Sequence, residues 1–295
     1  MILNVKNLNL HHKDGKEIKP ILHDISFNVK KNSCLGILGE SGSGKSMTCK
    51  SLMGLLDKKS FNIGGEVYFK DEDILRLDEN ESRRLRGKAI CMILQNPMTA
   101  FNPLYTIENQ VIETFLEHLD ITKIKAKELA VIALEKMNLK NPTEILNKYP
   151  HELSGGMLQR IMIGITIALE PELIIADEPT TAIDCLNQIE VIKEFKELRK
   201  KLKTSMIFIT HDLGVLAQIA DEVVVMDKGR IIEEGTINKI INEYFDIRHN
   251  EYLNKAKQKR EVLNDKDFIE YLYNRIYSLL FLLRIKCNKE ESSEI

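Results

Sequence analysis

The chain lacks the composition of a repetitive or disordered polymer. Its 295 residues hold only 7 prolines and 15 glycines, with no low-complexity tract and no internal repeat. Charge of one sign is also lacking. The 42 Lys+Arg and 44 Asp+Glu leave a net charge of -2, which builds no strong field for nucleic acid, so no nucleic-acid partner is expected. Long apolar runs are absent: the longest, Leu279–Ile285, contains Arg284 and falls short of the roughly 18 residues a spanning helix requires. The opening MILNVKNLNL alternates apolar and polar residues and lacks the basic, then apolar, then small-residue order of a signal peptide, so none is expected. The five cysteines, Cys34, Cys49, Cys91, Cys185 and Cys287, form no C-x-x-C pair. They read as reduced cytosolic thiols, which excludes a disulfide or zinc framework. The length suits one large domain, or one domain with a small appendage.

What is present is a succession of short apolar segments. Leu3–Leu10 and Ile21–Val29 show period-two alternation, with turn chemistry at Asp14–Lys16, so antiparallel strands are expected to open the chain. CLGILG at 34–39 reads as a buried strand, and SMTCKSLMGLL at 46–56 has helical spacing. AICMILQ at 89–95, LIIAD at 173–177 and SMIFIT at 205–210 are near-continuous apolar runs separated by helical patterns. Such runs imply a mostly parallel sheet covered on both faces. Residues 107–140 read as helices and the pair Gly155-Gly156 opens a long one, so 96–170 is expected to be a helical subdomain inserted between core strands. EVVVMDKGRIIEEG at 222–235 predicts a hairpin around Asp227-Lys228-Gly229. After about residue 241 the pattern weakens into a charged tail.

Two stretches carry chemistry on their own. Gly39, Glu40, Ser41, Gly42, Ser43, Gly44, Lys45 and Ser46 fit the phosphate-loop pattern G-x-x-x-x-G-K-[ST]. Glycines let backbone N–H groups approach a phosphate, the following helix directs its positive end there, Lys45 adds charge and Ser46 a hydroxyl for Mg²⁺. In LIIADEP, an apolar strand ends in Asp177 and Glu178, at the sheet edge where α/β ligands bind. One carboxylate there suits a Mg²⁺ hydration shell and its neighbour an attacking water.

Kinases, GTPases, motors and transport ATPases all carry a phosphate loop; LSGGMLQR at Leu153–Arg160 separates them. L-S-G-G is the signature of ATP-binding-cassette ATPases, and the chain resembles that superfamily over residues 1–240. Gln95 matches the family's glutamine-loop residue, TAID at Thr181–Asp184 its D-loop, and His211 after SMIFIT its switch histidine. The resemblance implies an α/β P-loop cassette with a mostly parallel core sheet, an antiparallel β subdomain and an inserted helical subdomain; the residues beyond it, 241–295, are expected to form a helical tail. It further implies that two cassettes, copies or homologous chains, meet head to tail around ATP. Ser154, Gly155 and Gly156 of one would face Lys45 of the other, while Thr181–Asp184 would cross to the opposing site. Glu178, His211 and Gln95 would be catalytic, with Ser46, Gln95 and Asp177 around Mg²⁺.

QNPMTAFNPLYTIENQ at 95–110 and Met157 after S-G-G are similar to the peptide/nickel importer subfamily. Leu158 and Phe101 lean toward its nickel-importer D-type ATPases over the peptide type. That resemblance implies a subunit on the cytoplasmic face of the membrane, working with a second cassette, two permeases and an extracytoplasmic binding protein. NPMTAFNP would form the permease groove, with Phe101 in the contact. Three features depart from the pattern. No adenine-stacking aromatic stands near the first strands, where His11 and His12 are nearest. Ile183 replaces a leucine, and only Cys287 lies past residue 185, so no iron–sulfur cluster is expected. Phe268, Ile269, Leu272, Tyr273, Ile276, Leu279, Leu280 and Leu283 repeat at helical spacing in the tail, which reads as a helix packed on its own cassette or the partner, with an interfacial helix lying on the membrane as the alternative. His11, His12 and His23 read as ordinary loop residues, not a metal site. The rival classes are a soluble cassette ATPase acting as a mechanical clamp, which usually fuses two cassettes or carries coiled coils, and a P-loop kinase, which would lack L-S-G-G.

Overall fold

The computed structural model describes residues 1–242 apart from Lys16, Ala182 and Asp184, with the backbone alone at 185–187. The tail helix expected at 268–283 and Cys287 lie outside these residues. Strand β1 (Leu3–Asp14) buries Leu3 and Val5, then Leu8 and Leu10, a change of parity that a regular pleat forbids. The register shifts between Val5 and Leu8, where Asn7 adopts φ 49°. Strand β2 (Glu17–Val29) changes parity between Leu22 and Ile25, with Asp24 at φ 50°. The two irregularities hold each other, since Asn9 Nδ2 donates to Asp24 Oδ1 at 2.8 Å and Ser26 Oγ accepts from the Asn7 N–H at 2.8 Å. Paired bulges of this kind re-aim the strands while keeping one face apolar.

The hairpin reaches beyond the expected Leu3–Leu10 and Ile21–Val29 because the register continues to Asp14↔Glu17. Those outer residues are mostly exposed and have no apolar alternation to read. Sequence patterning also missed β4 (Phe61–Phe69) and β5 (Glu72–Asp73). They complete a four-stranded antiparallel sheet of order β2-β1-β4-β5. Only Val67 and Phe69 of β4 are buried, and Gly64-Gly65 interrupts the pattern.

The second sheet runs through β3 (Cys34–Gly39), β6 (Ile90–Ile93), β7 (Leu173–Asp177), β8 (Ser205–Thr210), β9 (Glu222–Asp227) and β10 (Arg230–Thr236), ordered β10-β9-β3-β8-β7-β6. Five strands are parallel and only β10 is antiparallel. Period two divides their side chains between two cores. Leu173, Ile175, Ile207, Ile209, Leu35 and Ile37 face the antiparallel sheet and α1 (Lys45–Leu52), whereas Ile174, Ala176, Met206 and Phe208 face the helices. Burial on both faces explains why these strands read as continuous apolar runs. Helix α1 stops at Leu52, short of the expected 56, because Gly54 adopts a left-handed φ of 60°.

A short helix α2 (Glu79–Leu85), capped reciprocally by Asp78 and Glu81, was not legible as an amphipathic run because it buries nothing. Between β6 and β7 the described regular elements are all helical: α3 (Ile107–His118), α4 (Lys123–Lys136), α5 (Pro142–Leu146), α6 (Gly155–Ala168) and two single 3₁₀ turns. Helices α7 (Cys185–Leu202) and α8 (Leu213–Ile219) flank β8. No helix among the described residues is long and apolar enough to cross a membrane.

Candidate nucleotide site

The phosphate loop joins the end of β3 to the start of α1. Gly44, the N-cap of α1, has φ 105°, and a Cβ there would lie 2.8 Å from Leu22 Cδ2. Conformation and space both demand glycine. Lys45 is only 5% exposed. Its Nζ donates to the Gly39 and Glu40 carbonyl oxygens at 2.7 and 2.8 Å, folding the ammonium back over the loop. Burial lowers its pKa below the ordinary lysine value, opposed by the neighbouring carboxylates of Glu178 and Asp177.

The β9–β10 hairpin braces this loop, a role the sequence gave no reason to expect. Gly229 donates its N–H to the Ser43 carbonyl at 2.9 Å and accepts from the His23 N–H at 2.8 Å. Its φ is 74°, and a Cβ would collide with the Ile21 carbonyl oxygen. Gly229→Ala should therefore cost roughly 2 kcal/mol or more of stability. Urea unfolding of the variant checks this, and an unchanged midpoint would refute the brace.

Asp177 ends β7 and is 3% exposed. Ser46 Oγ donates to its Oδ1 at 3.0 Å. Burial raises the Asp177 pKa, while the Ser46 hydrogen bond pulls it down. The two oxygens form a hard-donor pair, the chemistry Mg²⁺ prefers. Among the described residues no group of three or more His, Cys, Asp or Glu converges on a possible metal site.

Glu178 leaves the strand with φ 46°, a left-handed conformation costing a non-glycine residue about 1 kcal/mol or more. The kink is held by its N–H, which donates to the Ile209 carbonyl at 3.0 Å. Its Oε2 accepts from Thr181 Oγ1 at 2.8 Å and lies 2.9 Å from His211 Nδ1. Sequence reasoning placed Glu178 and His211 in one site, and the structure joins them directly. It had not singled out Thr181 as the third member. Gln95 is exposed, two residues beyond β6. Ile93 pairs with Ala176, so Gln95 and Glu178 each lie two residues beyond a paired position of neighbouring strands.

Ser154, Gly155 and Gly156 are not drawn into this cluster. Ser154 is the N-cap of α6, its hydroxyl accepting from the Met157 N–H at 3.3 Å. A Cβ on Gly155 would meet nothing within 4 Å, so this helix start faces open space. Among the described residues Ser154 makes no hydrogen bond to the phosphate loop.

Comparison with known proteins settles the class. The family model described as "ABC transporter" matches residues 22–181. The chain belongs to the ABC transporter family. The resemblance drawn from L-S-G-G and its companions is borne out, and this cassette binds ATP and hydrolyses it. It is 40% identical to the metal-staphylopine import system ATP-binding protein CntD of Staphylococcus aureus, over 88% of this chain and 94% of that protein. It is 43% identical to the oligopeptide transport ATP-binding protein OppD of Bacillus subtilis, over 84% of this chain and 69% of that protein. Among solved structures, the dimeric post-hydrolysis state of the cassette MJ0796 bound to ADP and Pi superposes with a TM-score of 0.72. That match has 26% identity and covers 80% of this chain and 98% of that one.

Proposed function

We propose that this cassette energises import of a metal chelate, as a peripheral subunit on the cytoplasmic face of the membrane. It pairs with a second cassette and two permeases fed by an extracytoplasmic binding protein. What supports this reading is Leu158 and Phe101, which lean toward the nickel-importer type, together with the 40% identity to the metal-staphylopine protein over 88% of this chain. Deleting the gene should abolish uptake of chelated nickel and spare oligopeptides. The opposite pattern would assign the cargo to peptides.

In this reading residues 1–240 are the cassette and 96–170 its helical subdomain. The loop Gly39–Ser46 cradles the phosphates, and Ser46 and Asp177 hold Mg²⁺, with Gln95 toward its outer shell. Mg²⁺ held there would supply positive charge to offset that of the phosphates. Glu178 orients or deprotonates the attacking water, while His211 holds Glu178 by their direct contact and reaches for the γ-phosphate. Ser154 and Gly155 offer their helix N-terminus to the partner's ATP, which agrees with their outward placement.

The permease contact needs one correction. Phe101 was expected to lie in that contact, but it is 8% exposed and belongs to the helical core with Ile107 and Val111. The apolar side chains left open along this segment are Met98, Leu104 and Tyr105, with Leu104 79% exposed. Phe101→Asp should therefore destabilise the fold by about 3 kcal/mol or more, since it buries an unpaired charge. Leu104→Asp should leave thermal stability and ATP binding intact yet abolish co-purification with the permease. A Leu104→Asp complex of normal yield would remove this segment from the docking surface.

A further inference from the structure

Gln159 lies on α6, five residues after Ser154. Its side chain is 0% exposed. Nε2 donates to the Leu94 carbonyl at 3.4 Å, a long bond to the residue just before Gln95. Oε1 is buried with no hydrogen-bond partner among the described residues. Exchanging the two amide atoms would not help, because the oxygen would then face a carbonyl. The orphan has donors close by in the chain. The backbone N–H groups of Gln95 and Asn96 make no hydrogen bond among the described residues. Helix α6 also packs against β6 and against the 3₁₀ turn Pro97–Thr99, which Asn96 fixes by accepting from the Met98 N–H at 3.0 Å.

A buried amide oxygen without a donor is costly, and an apolar side chain of the same length would remove that cost. We propose that Gln159 is a positioning residue that couples the helix presenting Ser154 to the loop presenting Gln95. In the arrangement seen here it holds Leu94 through Nε2 alone. When nucleotide draws Gln95 toward the phosphates, Oε1 takes the Gln95 or Asn96 N–H, and the loop and helix move as one body. The unsatisfied oxygen is the unused half of a two-position latch. This inference rests on the proposed role of Gln95.

The test uses the full chain carrying Gln159→Met, which keeps length and removes both polar atoms. Its melting temperature should be unchanged within about 2 °C, since removal of the orphaned oxygen offsets the loss of the long 3.4 Å bond to the Leu94 carbonyl. The Kd and KM for ATP should stay within about twofold, while kcat falls by roughly tenfold or more. Amide exchange at residues 94–98 should slow on adding MgATP to the wild type and not to the variant. Wild-type kcat, or a kcat loss matched by lost stability or lost ATP affinity, would overturn the latch. Gln95→Ala measured alongside keeps the failures apart. If Gln95→Ala is impaired and Gln159→Met is not, only this inference fails; if both hydrolyse at the wild-type rate, the reading of Gln95 fails as well.

Discussion

Glu178→Gln should stop ATP turnover while preserving ATP binding. The substitution keeps the size of the side chain and an oxygen able to accept from Thr181 Oγ1, now 2.8 Å from Oε2. The Ser46–Asp177 pair, 3.0 Å apart, is untouched. The carboxylate charge is lost, and with it the group able to take a proton from water. Removal of a general base lowers rates by roughly a hundredfold or more, and that is the expected loss in kcat. ATP would then remain between Lys45 of one cassette and Ser154 of its partner, so the ATP-bound pair should persist on gel filtration. Adding Ser154→Arg should abolish that pair, because bulk and misplaced charge would intrude where the γ-phosphate docks. Wild-type turnover in Glu178→Gln would show the base to be misassigned, and Asp177, Gln95 and His211 would need new roles.

Lys45→Ala should weaken ATP binding by at least about tenfold, or roughly 1.4 kcal/mol. Two losses contribute. The cation beside the phosphates disappears, and the Gly39 and Glu40 carbonyls lose the donor that lies 2.7 and 2.8 Å away. Lys45→Arg should not restore the affinity. A site that leaves lysine 5% exposed has no room for a planar fork with five donors. Titration calorimetry with ATP measures both variants. Equal affinity of Lys45→Ala and wild type would remove the phosphate-loop assignment.

Much of the molecule was legible because its strands are buried on both faces. Ile174 and Ile175 point to opposite cores, so apolar continuity marked β7, and the same holds for β8. β4 and β5 escaped because only Val67 and Phe69 of their side chains are buried, leaving almost no pattern. Helix α2 escaped for the same reason. Phe101 was misread because an apolar residue within a polar loop can face a partner or the chain's own core. Only its burial in the helical core, the cluster that also holds Ile107 and Val111, decides between the two.

The linear order of residues by itself determined the chemistry. The spacing Gly39–Ser46 makes an anion cradle wherever a strand feeds a helix, and a strand ending in Asp177-Glu178 delivers two carboxylates to the sheet edge. These are local consequences of backbone geometry and side-chain type. Tertiary structure decided what joins across the chain: that His211 meets Glu178 at 2.9 Å, that Gly229 braces Ser43 at 2.9 Å, and that Gln159 reaches Leu94 with one polar atom left over. Such contacts depend on strand order and register, with β7 beside β8 and β9 beside β3. Residues far apart in sequence become neighbours only when two buried cores fix the sheet between them.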